Sequence, residues 1–142
     1  LGLFGEESND ESLIFNLLSW MHQNKADYTN TFCFLMNEDF AKSNIYKNQD
    51  FINWKEQWQK RLNLKNNSYE KSLKLMHSSN PLIIPRNHKV EEALEAANNG
   101  NFDKINNLVE ILKNPYQSHK KNSEYCFPAP KSDKKYQTFC GT

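Results

Sequence analysis

Three cysteines, four histidines and four pairs of adjacent carboxylates are the residues of this 142-residue chain best suited to chemistry. Cys33, Cys126 and Cys140 form no CxxC pair, and their odd number makes no disulfide framework, so a reducing, cytoplasmic setting is expected. Cys140 stands out because it lies on a stretch without periodicity, where a thiol can reach a partner sulfur. Cys33, among aromatic neighbours, reads as a small buried hydrophobe. His22, His77, His88 and His119 are scattered, with no i, i+4 pair and no HExxH, so their spacing supports neither a zinc site nor a general base. Glu6-Glu7, Asp10-Glu11, Glu38-Asp39 and Glu91-Glu92 do not form acid–base pairs, because adjacent side chains on a helix diverge; helix-start and solvated-face roles explain them better. Gly2, Gly5, Gly100 and Gly141 are too few and too dispersed to wrap a phosphate. No catalytic, nucleotide-binding or metal-ligating set is expected among these residues.

Two polar constellations remain. Arg86-Asn87-His88 follows Pro85 at a helix start, where an anion or a partner's carboxylate can bind; a cap with a structural ion pair is the competing reading and fits the position better. Tyr46, Lys47, Phe51, Trp54, Lys55, Trp58, Lys60 and Arg61 interleave rings and cations, as a stacking platform for single-stranded nucleic acid would. Helical spacing turns those rings inward and most of the cations outward. Eighteen basic against 17 acidic residues leave a net charge of +1, which gives no electrostatic ground for a nucleic-acid or anionic-membrane partner.

The elements that must carry these residues are helical. Asp10 to about Lys25 places Leu13, Leu17, Leu18 and Met21 on one stripe. Tyr28 to Met36 is rich enough in aromatic and β-branched residues for a strand, but its helical neighbours favour helix. Phe51, Trp54, Trp58 and Leu62 share a face of a helix from about Asp50 to Leu62, and another helix runs from Ser68 to about Ser78, before Asn80-Pro81. Pro81 to Arg86 reads as an extended, buried connector, after which Asn87 caps a helix with Val90, Ala93, Leu94 and Ala97 inward and Glu91 and Glu92 in its first turn. Gly100 stops that helix, and Ile105, Leu108, Val109 and Leu112 pattern a second one from Asp103 to Lys113, giving a hairpin over about 87–113. From Asn114 the periodicity ends. Three prolines and five lysines mix there with Tyr116, Tyr125, Phe127, Tyr136 and Phe139, which suits an extended arm laid over a surface.

The predicted class is all-α: an irregular helical bundle over 1–113 and an extended aromatic-rich arm over 114–142. Such a length makes one domain. No apolar run approaches the ~18 residues a spanning helix needs, so a soluble protein without a membrane partner is expected. The chain opens Leu1-Gly2-Leu3-Phe4 without an initiator Met or a signal-peptide pattern, and reads as a piece of a longer protein.

The segment Asn80-Pro81-Leu82-Ile83-Ile84-Pro85-Arg86-Asn87-His88-Lys89-Val90-Glu91-Glu92-Ala93-Leu94 closely resembles the C-terminal region of the selenoprotein O family. Leu1-Gly2-Leu3, Asp27-Tyr28-Thr29-Asn30-Thr31-Phe32, Asn114-Pro115-Tyr116, Tyr125 and the stretch Tyr136-Gln137-Thr138-Phe139-Cys140-Gly141-Thr142 agree with that family in order. The resemblance implies a longer protein with a pseudokinase fold that binds ATP with Mg or Mn and transfers AMP to Ser, Thr or Tyr hydroxyls of target proteins. It implies that the catalytic, nucleotide-binding and metal-binding residues lie upstream, so this part alone is expected to be inactive. It further implies that Cys140 matches a redox-active position of the family, one that pairs with a cysteine of the kinase-like part; Cys126 has no such match. The expected partners are that upstream part, with Arg86, Asn87 and His88 as a contact, and the protein substrates. The rival expectation is an autonomous helical interaction module that recruits a separate protein through the aromatic arm or the Trp54 and Trp58 face.

Overall fold

The computed structural model of the chain describes residues 1–39, 43–64, 68–117 and 124–129. Among them six α-helices and no strand form: α1 (Asp10–Asn24), α2 (Tyr28–Met36), α3 (Gln49–Leu62), α4 (Tyr69–Ser79), α5 (Asn87–Asn98) and α6 (Asp103–Leu112). Short 3-10 turns occupy Asn44–Lys47 and Glu124–Cys126. The class is all-α, as the periodicity requires.

Local capping explains where the helices begin. Asp27 accepts a hydrogen bond from the Asn30 N–H at 2.9 Å, which starts α2 as a helix where propensity alone left a strand open. Asn48 Oδ1 accepts from the N–H groups of Asp50 and Phe51 and opens α3, and Ser68 opens α4. The end of α1 has no glycine. Lys25 takes the left-handed conformation (φ 51°), and its N–H and that of Ala26 return to the carbonyls of His22 and Met21, closing the helix end as a glycine would.

α1 packs on α3, α2 on α4, and α5 on α6. The core between them is aromatic: Trp20 lies 4.6 Å from Phe51, Phe34 stacks on Tyr46 at 4.0 Å, and Trp54 and Trp58 run parallel at 6.0 Å, distances between ring centroids. Each indole N–H is satisfied, that of Trp20 by Asn48 Oδ1, of Trp54 by the Leu13 carbonyl and of Trp58 by the Leu1 carbonyl. Arg61 ties the N-terminal segment to α3, donating to Asp10 at 2.6 and 2.9 Å and to the carbonyls of Phe4 and Gly5.

The sequence pattern needs correcting at several positions. On α1 the core takes Trp20 with Leu13, Leu17 and Met21, while Leu18 is 41% exposed; α3 covers a narrower stripe than the apolar residues of α1 occupy. Leu94 and Val109 are likewise half-exposed, because the hairpin buries its centre line at Ala93 and Leu108 and leaves its flanks in solvent. Asn87 is the first residue of α5 rather than its cap. Arg86 holds the cap position without a side-chain cap bond, since its side chain is engaged elsewhere, and Glu91 and Glu92 fall past the first turn. The connector from Pro81 is extended as expected, and the N–H groups of Leu82 and Ile83 both donate to the Pro115 carbonyl, which docks it against the end of α6. Of the arm over 114–142, residues 118–123 and 130–142 lie outside the described residues.

Candidate functional site

Arg86 is the centre of a polar cluster that joins α2, the start of α5 and the turn at Cys126. Its carbonyl accepts from the N–H groups of Lys89 and Val90 and closes the first turn of α5, while its side chain turns toward α2. Nη1 donates to Asp27 Oδ2 at 2.5 Å and Nη2 to Asp27 Oδ1 at 2.9 Å, a two-pronged grip on one carboxylate. Nη2 also donates to Asn30 Oδ1 at 3.2 Å and to the Cys126 carbonyl at 3.3 Å. Nε is buried and finds no partner among the described residues. Burial pushes the Asp27 carboxyl up, but hydrogen bonds from Arg86 and the Asn30 N–H, with the Arg86 charge, outweigh it and hold the group below its ordinary 3.8. Asp27 therefore caps α2 and joins it to the start of α5.

This geometry draws Arg86 away from its two neighbours in sequence. Asn87 is exposed at the first helical position and His88 is half-buried, while the Arg86 guanidinium is engaged with Asp27. The structural ion pair weighed from the sequence is present.

The two described thiols are both buried. The Cys33 Sγ donates to the Pro81 carbonyl at 3.7 Å, and burial pushes its pKa up to about 12, with Cys126 and Asp27 adding and Arg86 opposing. Burial raises Cys126 as well, against the opposing charge of Arg86. Both are protonated at neutral pH and are weak nucleophiles. Cys140, His119 and Gly141 lie outside the described residues.

Sequence reasoning did not single out the socket in which Cys126 sits. The Lys89 Nζ donates to Glu124 Oε2 at 2.5 Å, and Asn107 Nδ2 donates to the Tyr125 hydroxyl at 3.0 Å. The one available signal was the presence of aromatic residues in an otherwise aperiodic arm. Other candidates separate: His22 and His77 are exposed, Asp10 pairs with Arg61, Glu38 with Lys55, and Glu92 with Lys89 and Lys104. Trp54 and Trp58 are 5% and 1% exposed, so they offer no stacking or docking face. Among the described residues no three His, Cys, Asp or Glu side chains come together as metal ligands, and no helix is long and apolar enough to cross a membrane.

Comparison with known proteins gives this arrangement a context. The model of the family described as protein adenylyltransferase SelO matches residues 1–113. The protein nucleotidyltransferase YdiU of Pelagibacter ubique (strain HTCC1062) is 56% identical over 142 residues, which is 100% of this chain and 29% of that protein. Proteins of the same name from Clostridium beijerinckii and Nitrosococcus oceani are 47% and 45% identical, again over 100% of this chain and 29% of their own length. The chain thus spans under a third of the curated relatives it matches.

Proposed function

Since the chain belongs to the protein adenylyltransferase SelO family, we propose that it is the C-terminal helical part of an enzyme that transfers AMP from ATP to Ser, Thr or Tyr hydroxyls of proteins. The observation that carries this reading is 56% identity, across every residue, to 29% of a protein nucleotidyltransferase. In it, this part is structural and redox-regulatory, and the groups that bind ATP and Mg or Mn belong to the rest of the polypeptide. The described residues do not fit such a site, for they bring together neither a glycine-rich loop nor a carboxylate set.

The docking role draws support from α1, which is apolar on two sides. Leu13, Leu17, Trp20 and Met21 face the core, while Ile14 and Leu18, one turn apart, and Phe15, 68% exposed, form a second apolar face. A kinase-like part of the same polypeptide would cover it. The same face also fits the rival reading, a separate protein docked on an autonomous module. Cys140 is the regulatory thiol in the leading reading: a peroxide-class oxidant takes two electrons and two protons from Cys140 and a cysteine of the kinase-like part, leaving a disulfide that pins the arm.

The test uses this chain and a family-length protein separately, each with ATP, Mg²⁺ or Mn²⁺ and a protein acceptor, read by intact mass. AMP addition by the longer protein alone is expected, with its response to oxidant lost in Cys140→Ser. Transfer by the chain alone overturns the placement of catalysis, and transfer by neither moves the interaction module ahead.

A further inference from the structure

Residues 113–123 separate the turn Glu124–Cys126 from the end of α6 in sequence, yet that turn is seated on the hairpin by three polar contacts. An ion pair joins Glu124 to Lys89 of α5, a hydrogen bond joins the Tyr125 hydroxyl to Asn107 of α6, and the Cys126 carbonyl accepts from Arg86 at the α5 cap. Tyr125 and Cys126 are 7% and 9% exposed. A three-residue turn has no stability of its own, so the order of this one comes from the surface that receives it. That surface is prepared independently of the turn: Arg86 is oriented by Asp27, and Lys89 by Glu92 one turn along α5. The seat is open at its rim, where an adjoining cavity of about 340 Å³ is lined by Lys104, Asp103 and Glu92 beside Glu124 and Tyr125. The Glu124 side chain is 63% exposed, so its half of the ion pair stands in solvent. One buried ring, one ion pair and two hydrogen bonds hold the turn to the helices, few enough contacts for a local attachment.

We propose that the α5–α6 hairpin is a docking socket for an acidic–aromatic turn and that residues 124–126 are its releasable occupant in cis, a latch that opens while the helices stay folded. The occupant is the chain's own segment because the residue types match the socket in order: carboxylate to ammonium, phenol to amide, backbone carbonyl to guanidinium. The latch stands apart from AMP transfer, and it hides the Cys126 thiol whenever it is closed.

That thiol is the reporter. The intact chain is treated with iodoacetamide under native conditions, and alkylation of Cys126 and Cys33 is followed by peptide mass, beside a synthetic peptide of residues 122–129. Cys126 in the chain is expected to react at least about tenfold more slowly than in the peptide, as opening-limited labelling requires. Glu124→Lys, at an exposed side chain, is expected to raise the Cys126 rate about fivefold, and Asn107→Ala to raise it by a similar factor. Unchanged far-UV circular dichroism and continued protection of Cys33 show that the helices are intact in both. Cys126 reacting at the peptide's rate in the native chain overturns the latch, and so do variants that leave the rate unchanged. Protection that grows with protein concentration overturns the cis occupant in favour of a second copy.

Discussion

The two arginines of the chain do the same job in two places, each joining segments distant in sequence through a carboxylate and backbone carbonyls. Arg86→Met leaves Asp27 partly buried without its cation, and a loss of about 2 kcal/mol is expected in urea unfolding, below the value for a fully buried pair because the Asp27 side chain keeps 22% of its exposure. The pair also sets a pH dependence. The folded Asp27 carboxyl lies below its ordinary 3.8, so between the two values the unfolded chain holds more protons. The contribution is therefore full above the ordinary value and is lost as pH falls through the lowered one. Melting temperatures measured from about pH 5 down to pH 2 should drop more steeply for the native chain than for Arg86→Met, in which Asp27 has lost its main stabiliser. At this scale the sequence was readable for Cys33, whose aromatic neighbours announced burial. It was silent on Asp27, which neither charge nor spacing marks as the partner of a residue 59 positions away.

Among the elements, two glycines separate conformation from packing. Gly100 sits at φ +83°, and a Cβ added there would have nothing within 4 Å, so Gly100→Ala is expected to cost about 1 kcal/mol, the backbone term alone. Gly2 sits at φ +71°, and a Cβ there would meet the Ser72 carbonyl oxygen at 2.8 Å, a backbone atom of α4 that cannot swing aside. Gly2→Ala is expected to cost about 3 kcal/mol, since close packing adds to the backbone term. Urea midpoints of the two variants check the difference. Gly100 was legible as a helix stop because it follows a complete apolar pattern. Gly2 was not, because the surface it approaches comes from α4, and the left-handed Lys25 was not, because the return hydrogen bonds that stabilise it belong to the folded helix end.

For the molecule as a whole, the second apolar face of α1 is where the proposed docking on a longer polypeptide can be tested. Ile14 and Leu18 are 43% and 41% exposed, so Ile14→Ser with Leu18→Ser is expected to leave the melting temperature of this chain nearly unchanged. In a family-length protein the same pair should lower it by several degrees, as loss of about 1–2 kcal/mol of interface burial does, with calorimetry as the measurement. An equal response in both proteins counts against a docking role for this face.

Apolar periodicity, capping residues and proline act within a few positions of one another, so the class, the helical pattern, the hairpin and its stop were legible locally. The sequence also carried the family, through the ordered segments from Asn80 to Leu94 and on either side of them, and the family model matches residues 1–113. Which apolar residues became core was settled by tertiary packing, since Leu18, Leu94 and Val109 satisfy the helical pattern yet stay about half exposed. The tertiary structure alone placed Arg86 on Asp27 rather than on the surface, and seated Glu124–Cys126 against Lys89 and Asn107. Those pairings join residues 18 to 59 positions apart. Chain separation of that size leaves no local signal, for the energy of such a contact exists only once the helices have brought its two ends together.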